Sequence, residues 1–437
     1  MPSPALWLAL SAALLLSACA GQPATPEPLP RVPAPGLSLA TAAASQAIDL
    51  SQPLSADAVA AIAVFTNPDL IALRSGEGVA EAQVFAARLY PDPTFSAGFD
   101  VPTNGVNTST AFALGLGFDF AALARRPSAM RGAQANLEAV RFDIAWSEWL
   151  TGEQARLLAT RIAHLHDIKA LTSQLRTIAD EEVARALPAV ARGDLPATAL
   201  DSSRLAAADA AERDRGAELQ LRNAELELNR VLGLDPAQQL RLAPAALPLA
   251  RIPDRARLEQ AVAARADLAA LRAAYQGSAA AIDAANLGRY PFPALGINAA
   301  RDTSDVKSIG PSVSFTLPIW NRGQGDIALA HAGQEQLRAT YIARLASVRA
   351  DLAAASENLA ITRLQRADVG RELVPLQPLV EASYRAAARG DLALSAANAA
   401  RLTLLDKQLV EAALTLAIAE LEIALEIAAG RPLETIQ

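Results

Sequence analysis

Phe112-Ala113-Leu114-Gly115-Leu116-Gly117-Phe118-Asp119-Phe120 alternates a large apolar residue with a small or polar one at every step. A period of two is the pattern of a β-strand with two unlike faces. Just upstream, Phe95, Ala97, Phe99 and Val101 share one face of a similar run, and Thr94, Ser96, Gly98 and Asp100 share the other. Pro102-Thr103-Asn104-Gly105 between them is turn chemistry, so the two runs read as a hairpin. A soluble sheet would usually carry Lys, Glu and Thr on its polar face, whereas here that face is mostly Gly, Ala and Ser. Each run is near the roughly 9–11 residues that span a bilayer at a tilt. The expectation is a membrane hairpin, with a small soluble sheet as the alternative.

The hairpin is stated twice. Leu295 and Ile297 oppose Gly296 and Asn298, and then Val313, Phe315 and Leu317 oppose Ser312, Ser314 and Thr316. Asn67-Pro68-Asp69-Leu70-Ile71-Ala72-Leu73-Arg74 returns as Arg265-Ala266-Asp267-Leu268-Ala269-Ala270-Leu271-Arg272. Tyr90-Pro91-Asp92-Pro93 returns as Tyr290-Pro291-Phe292-Pro293, and Ala191-Arg192-Gly193-Asp194-Leu195 as Ala388-Arg389-Gly390-Asp391-Leu392. These echoes share a step of about 200 residues, which marks a tandem duplication with units expected at 56–250 and 251–437. Four strands cannot close a barrel, and an open edge in lipid leaves backbone groups unpaired at several kcal/mol each. Membrane strands would therefore require the chain to oligomerise, and two, three or four copies are all geometrically permitted.

Each copy opens with a helical stretch, 56–89 and 254–287, and follows its hairpin with a long Ala- and Leu-rich run. These runs, roughly Arg126 to Ala186 and Asp326 to Ala388, would reach on the order of 90 Å as helices, beyond any compact core. Leu337, Tyr341, Leu345, Val348, Leu352, Ala355 and Leu359 step by four and three, as in coiled coils, and so do Leu402, Leu405, Leu409, Ala412, Leu416, Ala419 and Ile423. Pro375 and Pro378 are expected to kink the second run near its far end. Gly193 and Gly390 suit the left-handed residue that ends a helix. Asp194 and Asp391 are then expected to cap the returning helices, with Pro196 in the first turn.

Ala5 to Leu16 is too short to span a bilayer and ends in Leu16-Ser17-Ala18-Cys19, so 1–18 reads as a signal peptide. Residues 19–55 read as a lipid anchor and tether, with six prolines between Gln22 and Gly36. Cys19 is the sole cysteine, so no disulfide can staple the fold. A net charge of −7 argues against a nucleic-acid partner. His164, His166 and His331 form no triad with nearby residues, and on a helix the side chains of His164 and His166 do not share a face. They read as solvated helix residues. No enzyme activity, cofactor or metal is expected. Trp146 and Trp149 fit either an interfacial belt or packing in the helix layer.

Leu-Ser-Ala-Cys resembles a lipobox with Cys19 as the acylated residue, although Met1-Pro2-Ser3-Pro4 lacks the usual Lys or Arg. Together with the tether, the doubled hairpin, the long helices and the glycine tips, it makes the chain resemble the TolC-type outer membrane efflux channels, lipoprotein branch. Asn67-Pro68-Asp69-Leu70, Tyr90-Pro91-Asp92-Pro93, Asn229-Arg230-Val231-Leu232-Gly233 and Leu317-Pro318-Ile319-Trp320-Asn321-Arg322-Gly323 are similar to that family's recurring segments. The Pro375 to Leu392 region has the look of the heavy-metal-efflux members.

The resemblance implies a mainly α fold with membrane β-hairpins: a homotrimer sharing one 12-stranded β-barrel in outer membrane lipid, above a long periplasmic α-helical barrel. It implies a passive exit duct of a tripartite efflux system, joined to a periplasmic adaptor and an inner-membrane pump of the RND type. By the same analogy the adaptor-docking tips are Arg192, Gly193, Asp194 and Leu195, and Arg389, Gly390, Asp391 and Leu392. Family members carry acidic gate residues six and nine positions past the tip glycine. Here those positions are Ala199, Ser202, Ala396 and Ala399, so the acidic gate does not transfer. The alternative is a periplasmic adaptor-type lipoprotein, which would have one coiled-coil hairpin inserted in β segments.

Overall fold

The computed structural model describes residues 48–49, 51–105, 109–245 and 251–436, together with Leu39, Ala43 and Leu249. The signal segment 1–18, Cys19 and the proline-rich stretch 22–36 lie outside the described residues. Helix α1 is Ala56–Thr66, started by Ser55, whose hydroxyl accepts the Ala58 N–H at 3.2 Å. The expected single helix 56–89 is in fact two, because Asn67 turns to extended backbone ahead of Pro68. Asn67 Oδ1 then accepts the Leu70 N–H at 2.9 Å and opens α2, Pro68–Arg88. The second copy divides likewise, into α5 (Arg255–Val262) and α6 (Ala266–Leu287).

Strands β1 (Thr94–Asp100) and β2 (Ala111–Asp119) follow α2, and β3 (Pro293–Arg301) and β4 (Lys307–Phe315) follow α6. All four join one antiparallel sheet in chain order, so β2 pairs with β3 across the two copies. Phe120, read above as strand, is the first residue of a helix. The carboxylate of Asp119 accepts the Ala121 and Ala122 N–H groups at 2.8 and 3.3 Å and ends the strand there. Strand β4 starts earlier than its alternation suggested, at Lys307, because Pro311 sits on an edge strand where its missing N–H is tolerated.

The long helices exceed expectation. Helix α3 (Phe120–Ala191) has 72 residues and α7 (Gln324–Ala388) has 65. At 1.5 Å per residue they are about 110 and 100 Å long. Helix α7 continues through Pro375 and Pro378 without ending. Helices α4 (Ala197–Val231) and α8 (Leu394–Ala429) return alongside them.

Each copy has its own apolar core. In the first, Val59, Ile62 and Ala63 of α1 pack on Ala155, Leu158 and Ile162 of α3 and Leu228 and Val231 of α4. In the second, Leu258 and Val262 of α5 pack on Val348, Leu352 and Leu359 of α7 and Ile418 and Leu425 of α8. The heptad stripe of α7 is thus a core seam.

The helix joints of the two halves are built alike. Asn67 Nδ2 donates to the Val231 carbonyl at 2.8 Å, which fastens the end of α4 to the α1–α2 break. Arg265, the echo of Asn67, donates to the Ile427 and Ala428 carbonyls at 2.8 and 2.6 Å and fastens the end of α8 in the same way. Gly233 and Gly430, at φ +65° and +75°, terminate the two returning helices against these joints. A Cβ on Gly430 would lie 2.7 Å from Arg265 Cγ.

Candidate functional site

The sheet carries two chemistries. Its register lines up Phe95, Leu116, Ile297 and Pro311 across the four strands on one face. The adjacent row on the other face is Ser96, Gly115, Asn298 and Gly310. The apolar face is uncovered: Phe95 is 70% exposed, Phe99 71% and Ile309 79%. Leaving that much contiguous apolar surface in water opposes folding, so the face is built to meet lipid or another apolar surface. The small face lets strands approach closely, and a Cβ on Gly296 would lie 2.7 Å from the Leu116 carbonyl oxygen. Strands β1 and β4 are sheet edges with no partner among the described residues.

At the end of the sheet nearest the helices stand Tyr90, Tyr290 and Trp320, all exposed. Amphipathic rings at such a level suit a membrane–water boundary. Arg126 reaches over the Tyr90 ring at 4.2 Å and donates to the Arg88 and Leu89 carbonyls, tying α2 to α3 just below the strands. Trp146 settles in the other of its two readings. It is buried in the helix layer, with the Arg265 guanidinium 4.1 Å from its ring centroid.

Arg265 belongs to a lock that the sequence did not announce. It pairs with both carboxylate oxygens of Asp267 at 3.0 and 2.8 Å, and Arg344 of α7 adds a third bond at 2.8 Å. Burial alone would raise the Asp267 pKa, but the hydrogen bonds from the two arginines outweigh it and hold the carboxyl below its ordinary value. The only sequence signal was positional, since Arg265 stands where the first copy has Asn67. A second ion cluster joins α1, α3 and α8. Arg156 of α3 contacts Glu153, Glu426 of α8 and Asp57 of α1. Asp214 of α4 is buried and meets Lys169, Ser173 and Arg176 of α3; burial pushes its pKa up, yet those hydrogen bonds bring it down to about 2.

Both helix tips have one construction. Gly193 and Gly390 are left-handed at φ +80° and +79°. The Asp194 N–H reaches back to the Ala189 carbonyl at 2.8 Å, and the Asp391 N–H to Ala386 at 3.0 Å, the Schellman closure of a helix end. Asp194 and Asp391 do not cap the returning helices, contrary to the expectation above. Those caps are Pro196 and Ala393, with no side-chain bond, so Pro196 precedes the first turn rather than lying in it. The aspartates instead accept from Arg192 and Arg389, at 2.8 and 2.9 Å. All four side chains are well exposed, and such ion pairs contribute only about 0–1 kcal/mol. Leu195 is also exposed and Leu392 half-buried, so each tip offers a charged pair and an apolar side chain that the fold does not consume.

Contacts between the copies are lopsided. Helix α6 packs on both α3 and α7, while its first-copy counterpart α2 packs on α3 alone among the long helices. Helix α8 packs on α7 and α3, bridged by Glu420–Arg161 and Arg401–Gln174, whereas its counterpart α4 packs on α3 and meets α8 through the exposed Arg213–Asp406 pair. The uncovered sides carry apolar residues: Val79 and Phe85 on α2, Leu205 and Leu219 on α4, Leu364 and Val374 on α7. Each missing contact is the one that the second copy already makes with the first.

The histidines differ from expectation. His166 and His331 are exposed, but His164 is buried where α8 covers α3; burial lowers its pKa, and its Nε2 has no hydrogen-bond partner among the described residues. Among the described residues no three His, Cys, Asp or Glu side chains are arranged to hold a metal, and no single helix is long and apolar enough to cross a membrane.

No family model and no curated protein matches the sequence. Solved structures do. The chain is similar to the CmeC outer membrane channel of Campylobacter jejuni, with 16% identity, 86% of this chain and 85% of that one covered, and a TM-score of 0.72. It is similar to the outer-membrane channel OprN at 15% identity, 93% and 99% coverage and a TM-score of 0.71. The MtrE outer membrane channel of Neisseria gonorrhoeae, in its open state, matches at 17% identity, 86% and 89% coverage and a TM-score of 0.66. Sheet, doubled helical hairpins and tips together make this the fold of the outer membrane channels.

Proposed function

We propose that the chain is the outer membrane exit duct of a tripartite efflux system. Three copies close their four-stranded sheets into one twelve-stranded barrel in outer membrane lipid, and their long helices line a tube through the periplasm. The duct is passive and has no energy source of its own. Cargo reaches it from an inner-membrane pump of the RND type through a periplasmic adaptor seated on the two glycine tips. Cys19 carries the lipid that holds the N-terminus in the membrane.

The observation that carries this reading is the half-finished contact set. Strand β2 pairs with β3, α6 fills the α3–α7 groove and α8 crosses to α3, all from second copy to first within one chain. The free edges β4 and β1, and the bare sides of α7, α4 and α2, fit the same contacts made between chains. A head-to-tail contact of this kind closes into a ring when its rotation divides a full turn. A periplasmic adaptor would show one helical hairpin, and this chain has two, joined by one continuous sheet.

Planar bilayers provide the test. Purified protein should raise the current in discrete, stable steps, and a chain that never conducts would rule out the duct.

A further inference from the structure

One row of the sheet breaks its own rule. Phe99, Phe112, Arg301 and Lys307 lie opposite one another across the four strands, on the apolar face, at the end remote from the helices. The first copy fills its half of the row with two aromatic rings, the second with two cations. Like charges directly opposite on one sheet face repel. The low dielectric beside lipid strengthens that repulsion. Arg301 is held in place by a 2.8 Å bond to the Thr110 carbonyl and by the Phe112 ring, 5.4 Å from its guanidinium. Its one acidic neighbour is Asp305, at 3.4 Å. The Lys307 side chain has no ion pair or hydrogen bond among the described residues, and residues 106–108, Val-Asn-Thr, contain no carboxylate. Asp302 is occupied, since its Oδ1 accepts the Ser304 and Val306 N–H groups.

We infer that Arg301 and Lys307 form a binding site for the phosphate of a membrane-lipid headgroup, one per chain, at the outer rim of the barrel. This rests on the membrane reading above. The ligand chemistry follows from the position. Ile309, one step along the same face from Lys307, is set for the hydrocarbon, so an anion held between the two cations sits at headgroup depth. An anionic lipid supplies that charge along with the chains that cover Ile309 and Phe99, which a free phosphate ion cannot do. The Nη atoms of Arg301 keep N–H donors beyond the one given to Thr110, its Nε being buried, and Lys307 adds a point charge, a pairing suited to a phosphate monoester.

The test uses the full chain in phosphatidylcholine vesicles with or without phosphatidic acid. Protein is extracted in mild detergent and retained phosphatidic acid is counted per chain by mass spectrometry. The double variant R301Q/K307Q should lose retention by roughly thirtyfold, judged from the attraction of each basic residue to an anionic surface. D305N should raise it, and inorganic phosphate should not displace the lipid. Equal retention by wild type and R301Q/K307Q would overturn the site and leave the two cations as side chains merely reaching for water. Displacement by free phosphate would overturn the lipid assignment. If no variant enters vesicles, the membrane reading fails and this inference with it. Normal insertion with unchanged retention refutes this inference alone.

Discussion

Neutralising Glu153 should stabilise the protein at alkaline pH, contrary to the usual result of removing a charge that touches an arginine. Its side chain is 6% exposed on α3, and Arg156 lies 3.5 Å away. The same guanidinium serves Glu426 of α8 and, at 3.2 Å, Asp57 of α1, so one cation faces three carboxylates. Burial raises the Glu153 pKa most, Arg156 lowers it, and Glu426 and Asp57 raise it further, from 4.5 to about 7. An acid with a folded-state pKa above its unfolded value holds its proton longer when folded. Stability is therefore greatest at low pH and falls as pH rises from 4.5 through about 7. At 1.36 kcal/mol per pH unit, that gap is a penalty of about 3 kcal/mol at pH 8. Glu153→Gln removes it but weakens the bond to Arg156 by about 1 kcal/mol, for a net gain of about 2 kcal/mol. Thermal unfolding of the detergent-solubilised wild type and variant at pH 5 and pH 8 reads this directly. The midpoints should nearly coincide at pH 5 and separate by about 2–3 °C at pH 8, the variant being higher. A variant that loses more stability at pH 8 than at pH 5 would refute the reasoning, since Glu153 would then act mainly as a partner of Arg156.

Arg265→Ala leaves Asp267 buried with Arg344 alone and strips the Ile427 and Ala428 carbonyls of their donor, a loss of about 3–5 kcal/mol in the same unfolding assay. Arg265→Lys should recover little, because an ammonium cannot reproduce the fork. Gly296→Val drives a side chain into the Leu116 carbonyl and should cost about 1–3 kcal/mol at the β2–β3 pair. Its signature is loss of assembled protein in gel filtration with helical circular dichroism preserved. At the tips a Cβ meets nothing within 4 Å, so Gly193→Val with Gly390→Val strains only the backbone, by about 1–2 kcal/mol each. Assembly should survive while adaptor binding and export fail. Unchanged export would remove the tip assignment.

Alternation over Phe112–Asp119 identified a strand because a pleated sheet leaves no other use for that pattern, and the glycine-rich opposite face pointed away from a soluble sandwich. Three echoes at one spacing lead to the expectation of two like units, and the element order runs the same way in both halves. The Asn67-Pro68 joint carried local chemistry, whereas its counterpart at Arg265-Ala266 carried none. Arg265 acts through partners on α7 and α8, far away in sequence, which no local pattern can reveal. The start of β4 at Lys307 is hidden in the sequence because Gly310-Pro311 interrupts the alternation, and only an edge position accommodates that proline. His164 looked solvated because a 72-residue helix packed on several sides has no single polar stripe; α8 of the other copy covers it. At the tips the glycines were plain, but Asp194 and Asp391 found their arginine two residues away before they could cap a helix.

Cross-linking of the sheet edges tests the central claim most directly. If the Leu116–Ile297 pair is repeated between chains, Val313 of β4 falls opposite Ala97 of β1 in the neighbour. Directly opposed Cβ atoms are about 4.5–5.5 Å apart, within reach of a short thiol cross-linker. In membranes, a chain carrying both Ala97→Cys and Val313→Cys should give a ladder that ends at three chains, and neither single variant should give one. Absence of a ladder, or one that continues beyond three, would contradict a barrel closed by three copies.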